Sequence, residues 1–270
     1  IVTLDEEKQN LQGKKFALTL GIKAAKYDTI LLTDADCVPA SSQWIRLMTS
    51  QIQEDTSIVL GFSPYRKYAG WLNRIIRFDT LMIGLHYLGF AKSRQPYMGV
   101  GRNLCYRKDL FFSVGGFKAH YTLASGDDDL FINQVATRKN TAVSFSPDAQ
   151  TISEPHQHWK GWFTQKRRHL TTSSRYKSRH QNLLALWPMT FGLMLVSFGL
   201  LMFFHIGMLL VGALLFVRYV VMLTILHGGS KNLGQHKDIV WLSPFLELHL
   251  FVLNVGLYFT NLVRKPQKWN

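Results

Sequence analysis

Cysteine is scarce in this chain, and one long stretch has no acidic residue. Cys37 and Cys105 are the two cysteines, without CxxC spacing, which excludes a disulfide framework or a cysteine-built zinc site and suits a reducing compartment. Between Pro155 and Lys237 there is no Asp or Glu. Lys160, Lys166, Arg167, Arg168, Arg175, Lys177 and Arg179 crowd that stretch, just ahead of a long apolar run. Overall, 31 Lys+Arg face 17 Asp+Glu, a formal charge of +14. No helix-turn-helix, zinc-finger or aromatic stacking pattern accompanies this charge, so a nucleic-acid partner is not expected. A basic cluster beside an apolar span fits an anionic cytoplasmic leaflet and the positive-inside bias. The opening Ile1-Val2-Thr3-Leu4, with no Met and no signal-peptide pattern, reads as the interior of a strand, implying a truncated chain.

What is present falls into three parts. Residues 1–155 alternate short apolar runs with amphipathic stretches. A helix is expected over Phe16–Lys26, strands over Thr29–Thr33, Ile58–Phe62 and Ala142–Phe145, and a helix over Phe131–Arg138. This alternation predicts an α/β domain with a mainly parallel sheet. Residues 70–90 are apolar but interrupted by Arg74, Arg77, Asp79 and His86, as in an amphipathic helix lying on a core or a membrane surface. Residues 156–182 form a basic juxtamembrane segment, and residues 183–263 a membrane region.

Leu183–Phe204 carries no charge over 22 residues, enough to cross a bilayer. Ile206–Leu226 is a second span broken only by Arg218, and the two should form a tight hairpin around His205. Ile239–Val263, containing Glu247 and His249, reads as a third span or an interfacial helix. Three spans would put Arg264, Lys265 and Lys268 opposite the basic cluster, against the positive-inside trend. At roughly 1.5 Å per residue, Arg218 and Glu247 lie at matching depths of about 10–13 Å. A lone intramembrane Arg is costly, so an Arg218–Glu247 pair is expected.

Three motifs carry chemistry. Asp34 and Asp36, at i and i+2 just past an apolar strand, sit where α/β sheets bind ligands and suit Mg²⁺ or Mn²⁺ holding a diphosphate. In Ser125-Gly126-Asp127-Asp128-Asp129-Leu130, three crowded carboxylates suit a general base with a raised pKa, or an acidic helix N-cap. Gln165-Lys166-Arg167-Arg168-His169 offers cations for a departing diphosphate, or a membrane-surface anchor.

The succession GKKFALTLGIKAA, LLTDADC, MGVGRNLCYRKDLFFSVGGF, SGDDDL, QKRRH and then apolar helices resembles the family 2 glycosyltransferases of the GT-A fold, especially membrane-bound bacterial members. The resemblance covers nearly the whole chain. It implies a Rossmann-like nucleotide-diphospho-sugar transferase domain, lacking its first strand, followed by transmembrane helices. It assigns Asp34 and Asp36 to a divalent metal and the donor diphosphate. Lys14, Gly101, Arg102 and Asn103 fall to the substrate site, and Asp128 to the base, with Asp127 and Asp129 as alternatives. Gln165, Arg168 and His169 correspond to Q-x-x-R-W, whose aromatic residue His169 replaces. The implied reaction is inverting sugar transfer from a nucleotide-diphosphate sugar, UDP-sugars foremost, to a hydroxyl on a lipid-linked or glycan acceptor. It would take place at the cytoplasmic face of the cell inner membrane. Nucleotidyl transfer on the same fold, or a non-catalytic assembly or transport subunit, are the competing readings.

Overall fold

The structure, a computed structural model, describes residues 6–263 apart from 122, 124, 235 and 236, with side chains described from Gly13 onward. Ile1–Leu4, Arg264, Lys265 and Lys268 lie outside the described residues.

The first helix, α1 (Glu6–Ala24), breaks at Gly13 (φ 66°) and is regular beyond it. Strands β1 (Thr29–Leu32), β3 (Ile58–Leu60) and β5 (Thr141–Val143) coincide with the three predicted runs. They share one direction, but they are not all neighbours. A strand the sequence did not signal, β4 (Leu104–Arg107), inserts antiparallel between β1 and β3, giving the order β1-β4-β3-β5 with β3 and β5 parallel. Four residues between Asn103 and Lys108 are too few for a periodicity to be read. What makes the strand is registry: Ile30, Tyr106 and Ile58 align on one face, and Leu31, Cys105 and Val59 on the other. The first set enters the main core and the second a smaller core with Trp44 and Met48 of α2 (Trp44–Thr49), as a period of two requires. Two further strands, β2 (Cys37–Pro39) and β6 (Thr151–Ser153), pair antiparallel beside the main sheet.

The segment with scattered charges is helix α3 (Trp71–Lys92), and most of it is buried. Its charges are used internally. Arg77, almost wholly buried, donates to both carboxylate oxygens of Asp238 (3.2 and 2.5 Å) in α9 (Lys237–Trp241). Asp79 accepts both of its bonds from Lys166 (2.9 Å each) in α6 (Trp159–Ser173). Helix α4 (Lys108–Ser113) follows β4, and α5 (Asp129–Val135) precedes β5.

Three C-terminal helices are long and apolar enough to cross a membrane: α7 (Ser178–Phe203), α8 (Met208–Asn232) and α10 (Ser243–Val263). Most of their surface is exposed apolar side chain, which water would penalise and lipid would not. The α7–α8 turn uses positive φ at His205 and Gly207. Arg218 reaches Glu247 (Nη2–Oε1 2.6 Å) and lies over the Phe191 ring of α7 at 4.9 Å, so one cation ties three helices. The ion pair expected from matched depth is formed.

Candidate active site

Everything distinctive gathers at one edge of the sheet. β1 runs out at Leu32, and a turn closed by Cys37 N–H to the Asp34 carbonyl (3.1 Å) turns Asp34 and Asp36 toward a large cavity. Asp36 is exposed and Asp34 half-buried. The break at Gly13 starts a fresh helical turn with two lysines on different duties. Lys14 donates to Asp34 Oδ1 (3.0 Å) and Asp127 Oδ2 (2.9 Å), bridging two motifs far apart in sequence. Burial opposes its charge, but Asp127 and Asp34 outweigh that and hold its pKa above the usual lysine value. Lys15, buried, donates to the carbonyls of His120 (2.6 Å), Leu123 (3.0 Å) and Ser125 (2.8 Å), fixing the loop that leads into the acidic triplet. Sequence reasoning did not single out Lys15. The doubled lysine after a glycine was the available signal.

The triplet divides by geometry. Gly126 (φ 100°) turns the chain into α5, where a Cβ would come within 2.5 Å of Leu130, so only glycine fits. Asp127 is held by Lys14. Asp129 is buried, its Oδ2 accepting from Tyr176 (2.8 Å) and Thr172, which fastens α5 to α6 and the turn after it. Asp128 caps α5 through Asp129 N–H (2.7 Å) and takes the Gly101 N–H on its other oxygen (2.7 Å). It is enclosed by the cavity wall yet open to the cavity itself. Burial and the neighbouring Asp127 and Asp129 carboxylates push its pKa up to about 7, against the Gly101 N–H and Lys14. The helix-cap reading of the triplet thus falls to Asp128, which also faces the cavity.

Gly101 and Asn103 do not line the cavity, whereas Arg102 does. Asn103 is wholly buried, accepting from Trp44 Nε1 (3.0 Å) and donating to the carbonyls of Phe62 and Ala149 (2.8 Å each). It is the internal brace of the turn that presents Gly101 and Arg102. Arg102 stacks on Tyr65 at 4.4 Å, and its Nη1 is buried with no hydrogen-bond partner among the described residues. A donor in that state is suited to an anion.

The basic motif is split along α6. Gln165 reaches the Tyr65 hydroxyl (3.4 Å), behind Arg102. Lys166, on the cavity wall, bonds Asp79, and Arg167 bonds Asn261 of α10 (2.8 Å). Arg168 faces the cavity within the field of Asp127, Asp34 and Asp128. His169 also opens to the cavity. Desolvation and the cations Arg168, Lys166 and Arg102 lower its pKa.

The cavity is about 1260 Å³, and ten of the twelve predicted site residues line it: Lys14, Asp34, Asp36, Arg102, Asp127, Asp128, Asp129, Gln165, Arg168 and His169. It continues away from the sheet between α3, α7 and α10. Among the described residues, no three His, Cys, Asp or Glu side chains cluster as an all-protein metal site. Two hard carboxylates at the cavity mouth nonetheless fit a Mg²⁺- or Mn²⁺-type ion completed by phosphate and water oxygens.

The family model described as glycosyl transferase family group 2 matches residues 29–232. The chain belongs to this family. It is a glycosyltransferase, and the matched span runs from β1 to the end of α8. Among solved structures, it is similar to the mannosyltransferase PcManGT from Pyrobaculum calidifontis in complex with GDP-Man and Mn²⁺. That likeness has a TM-score of 0.53 at 14% identity and covers 93% of this chain and 67% of the other. At that identity it speaks for the fold, which is GT-A-like. A comparison with curated proteins gives no match.

Proposed function

We propose that this glycosyltransferase moves a sugar from a nucleotide-diphosphate donor to a hydroxyl acceptor with inversion, at the cytoplasmic face of the inner membrane. The observation that carries the reading is the convergence of Lys14, Asp34, Asp36, Asp128, Arg102 and Arg168 on one cavity. Asp34 and Asp36 would hold a divalent ion, which supplies Lewis-acid charge to the leaving diphosphate when bound. Arg168, Arg102 and Lys14 supply further positive charge for the diphosphate. Asp128 accepts the acceptor's hydroxyl proton while that oxygen bonds to the anomeric carbon. The bond to the diphosphate oxygen breaks on the opposite face, and the nucleoside diphosphate leaves with the electron pair. Each Asp128 oxygen spends one lone pair on a backbone N–H and keeps another for the proton.

The cavity's extension supports an acceptor with an apolar chain. Its walls there are Met82, Ile83, Leu184, Trp187, Pro188 and Leu250, on helices α3, α7 and α10. Pro188 inside α7 also frees the Leu184 carbonyl from its helical partner, leaving a polar acceptor along that wall. Arg175, Lys177 and Arg179 are exposed at the start of α7, which supports a cytoplasmic orientation. PcManGT's complex with GDP-Man and Mn²⁺ supports a nucleotide sugar with a divalent ion here too.

The test is nucleoside diphosphate release with Mn²⁺ over a panel of UDP-sugars and GDP-Man, with the product anomer read by NMR. Asp36→Asn and Asp128→Asn should each abolish turnover while remaining folded. Full activity in both would overturn the assignment. Pyrophosphate release would instead point to nucleotidyl transfer.

A further inference from the structure

Lys14 stands in an unusual place. Its ammonium touches one carboxylate from each acidic motif, at 3.0 and 2.9 Å, with its side chain less than half exposed. Asp34 is also one of the two carboxylates that fit a divalent ion. A doubly charged cation on Asp34 and an ammonium 3.0 Å from Asp34 Oδ1 compete for one carboxylate and repel each other at close range, with solvent screening part of the repulsion. The two cannot both keep full contact.

We infer that Lys14 is a resident counter-cation, displaced from Asp34 when metal and donor diphosphate enter together. Asp127 keeps Lys14 tethered through the change, and the diphosphate supplies the negative charge that Asp34 gives up. The metal alone must compete with the ammonium, and the diphosphate alone meets carboxylates with no metal between. Arriving together, they satisfy Asp34, Asp36, Lys14 and the phosphates at once. Lys14 thus acts as a positioning residue that makes metal binding and nucleotide binding depend on each other. Lys15 is on the same helical turn but bonds only to carbonyl oxygens, which fixes the backbone beneath and lets Lys14 move without the loop.

This inference rests on the metal reading of Asp34 and Asp36, and the experiment separates the two. Mn²⁺ uptake by the purified chain is followed by electron paramagnetic resonance of the free ion, with and without UDP or GDP, corrected for Mn²⁺ held by the nucleotide itself. Wild type should bind Mn²⁺ at least tenfold more tightly with nucleotide present. Lys14→Met should bind Mn²⁺ alone about tenfold more tightly than wild type and lose most of the nucleotide's effect. Lys14→Arg, which keeps the cation, should retain it. Independent binding of Mn²⁺ and nucleotide in wild type would overturn the inference without recourse to any variant. Equal Mn²⁺ affinity in Lys14→Met and wild type would overturn it too. No Mn²⁺ uptake under any condition would remove the metal reading itself.

Discussion

Arg218 on α8 and Glu247 on α10 are 29 residues apart in sequence and 2.6 Å apart in space, with Glu247 almost wholly buried. Removing one partner of such a pair strands a charge, whereas removing both does not. Glu247→Gln should lower stability by about 3 kcal/mol, and Arg218→Leu with Glu247→Leu should recover most of it. Thermal unfolding in detergent micelles is the check. A Glu247→Gln protein as stable as wild type would show that the pair contributes nothing.

Asp128 gives a pH dependence whose sign is fixed by its environment. Its pKa rises from 3.8 to about 7 on folding. As the proposed base it would act deprotonated, so turnover should fall as pH drops below about 7. Stability runs the other way. Between pH 3.8 and about 7 the folded chain binds the extra proton, so this group's contribution to stability is lost as pH rises. Asp128→Asn should therefore cut turnover by about 10²–10⁴-fold yet raise the unfolding temperature more at pH 8 than at pH 5. A pH-independent difference in unfolding temperature would contradict the raised pKa.

Asp129 lies one residue further on and should behave differently. Its Oδ2 is taken by Tyr176 and Thr172, although the residue also lines the cavity. Asp129→Asn should destabilise by about 1–3 kcal/mol and leave turnover within an order of magnitude when assayed well below its unfolding temperature. If instead it matched Asp128→Asn in turnover, the base would have to be moved along the triplet.

Asn103 should likewise act through folding. Asn103→Ala leaves the Trp44 indole N–H and the Phe62 and Ala149 carbonyls without their bonds, a loss on the order of 3–6 kcal/mol. Denaturant midpoints should fall accordingly, while nucleotide affinity measured at low temperature changes little. Lys166→Met, cutting the salt bridge to Asp79, should be rescued in stability by Asp79→Leu, as thermal unfolding would show.

The sequence carried some of this and not the rest, for physical reasons. Runs such as Ile58-Val59-Leu60 announce strands because burial acts residue by residue along them. Leu183–Phe204 announces a membrane helix for the same reason. Asp34 and Asp36 stand out only in succession with the other motifs, since acidic turns are common at strand ends. What stayed hidden depends on partners far along the chain. Nothing near Asn103 says that it braces Trp44, and nothing near Lys166 says that Asp79 awaits it, 87 residues earlier. β4 was hidden because its register with β1 and β3, not its own four residues, makes it a strand. The Arg218–Glu247 pair was legible because a bilayer sets a depth scale that turns sequence position into distance.

One core joins the two halves of the molecule. Ile58 and Leu60 of the sheet, Ile75 and Leu81 of α3, and Leu226, Leu246 and Leu250 of the C-terminal helices belong to the same buried cluster. Cutting the chain before α7 to obtain a soluble enzyme would strip α3 of its cover and open the floor of the active site. The three apolar helices are thus structural members of the candidate site's wall.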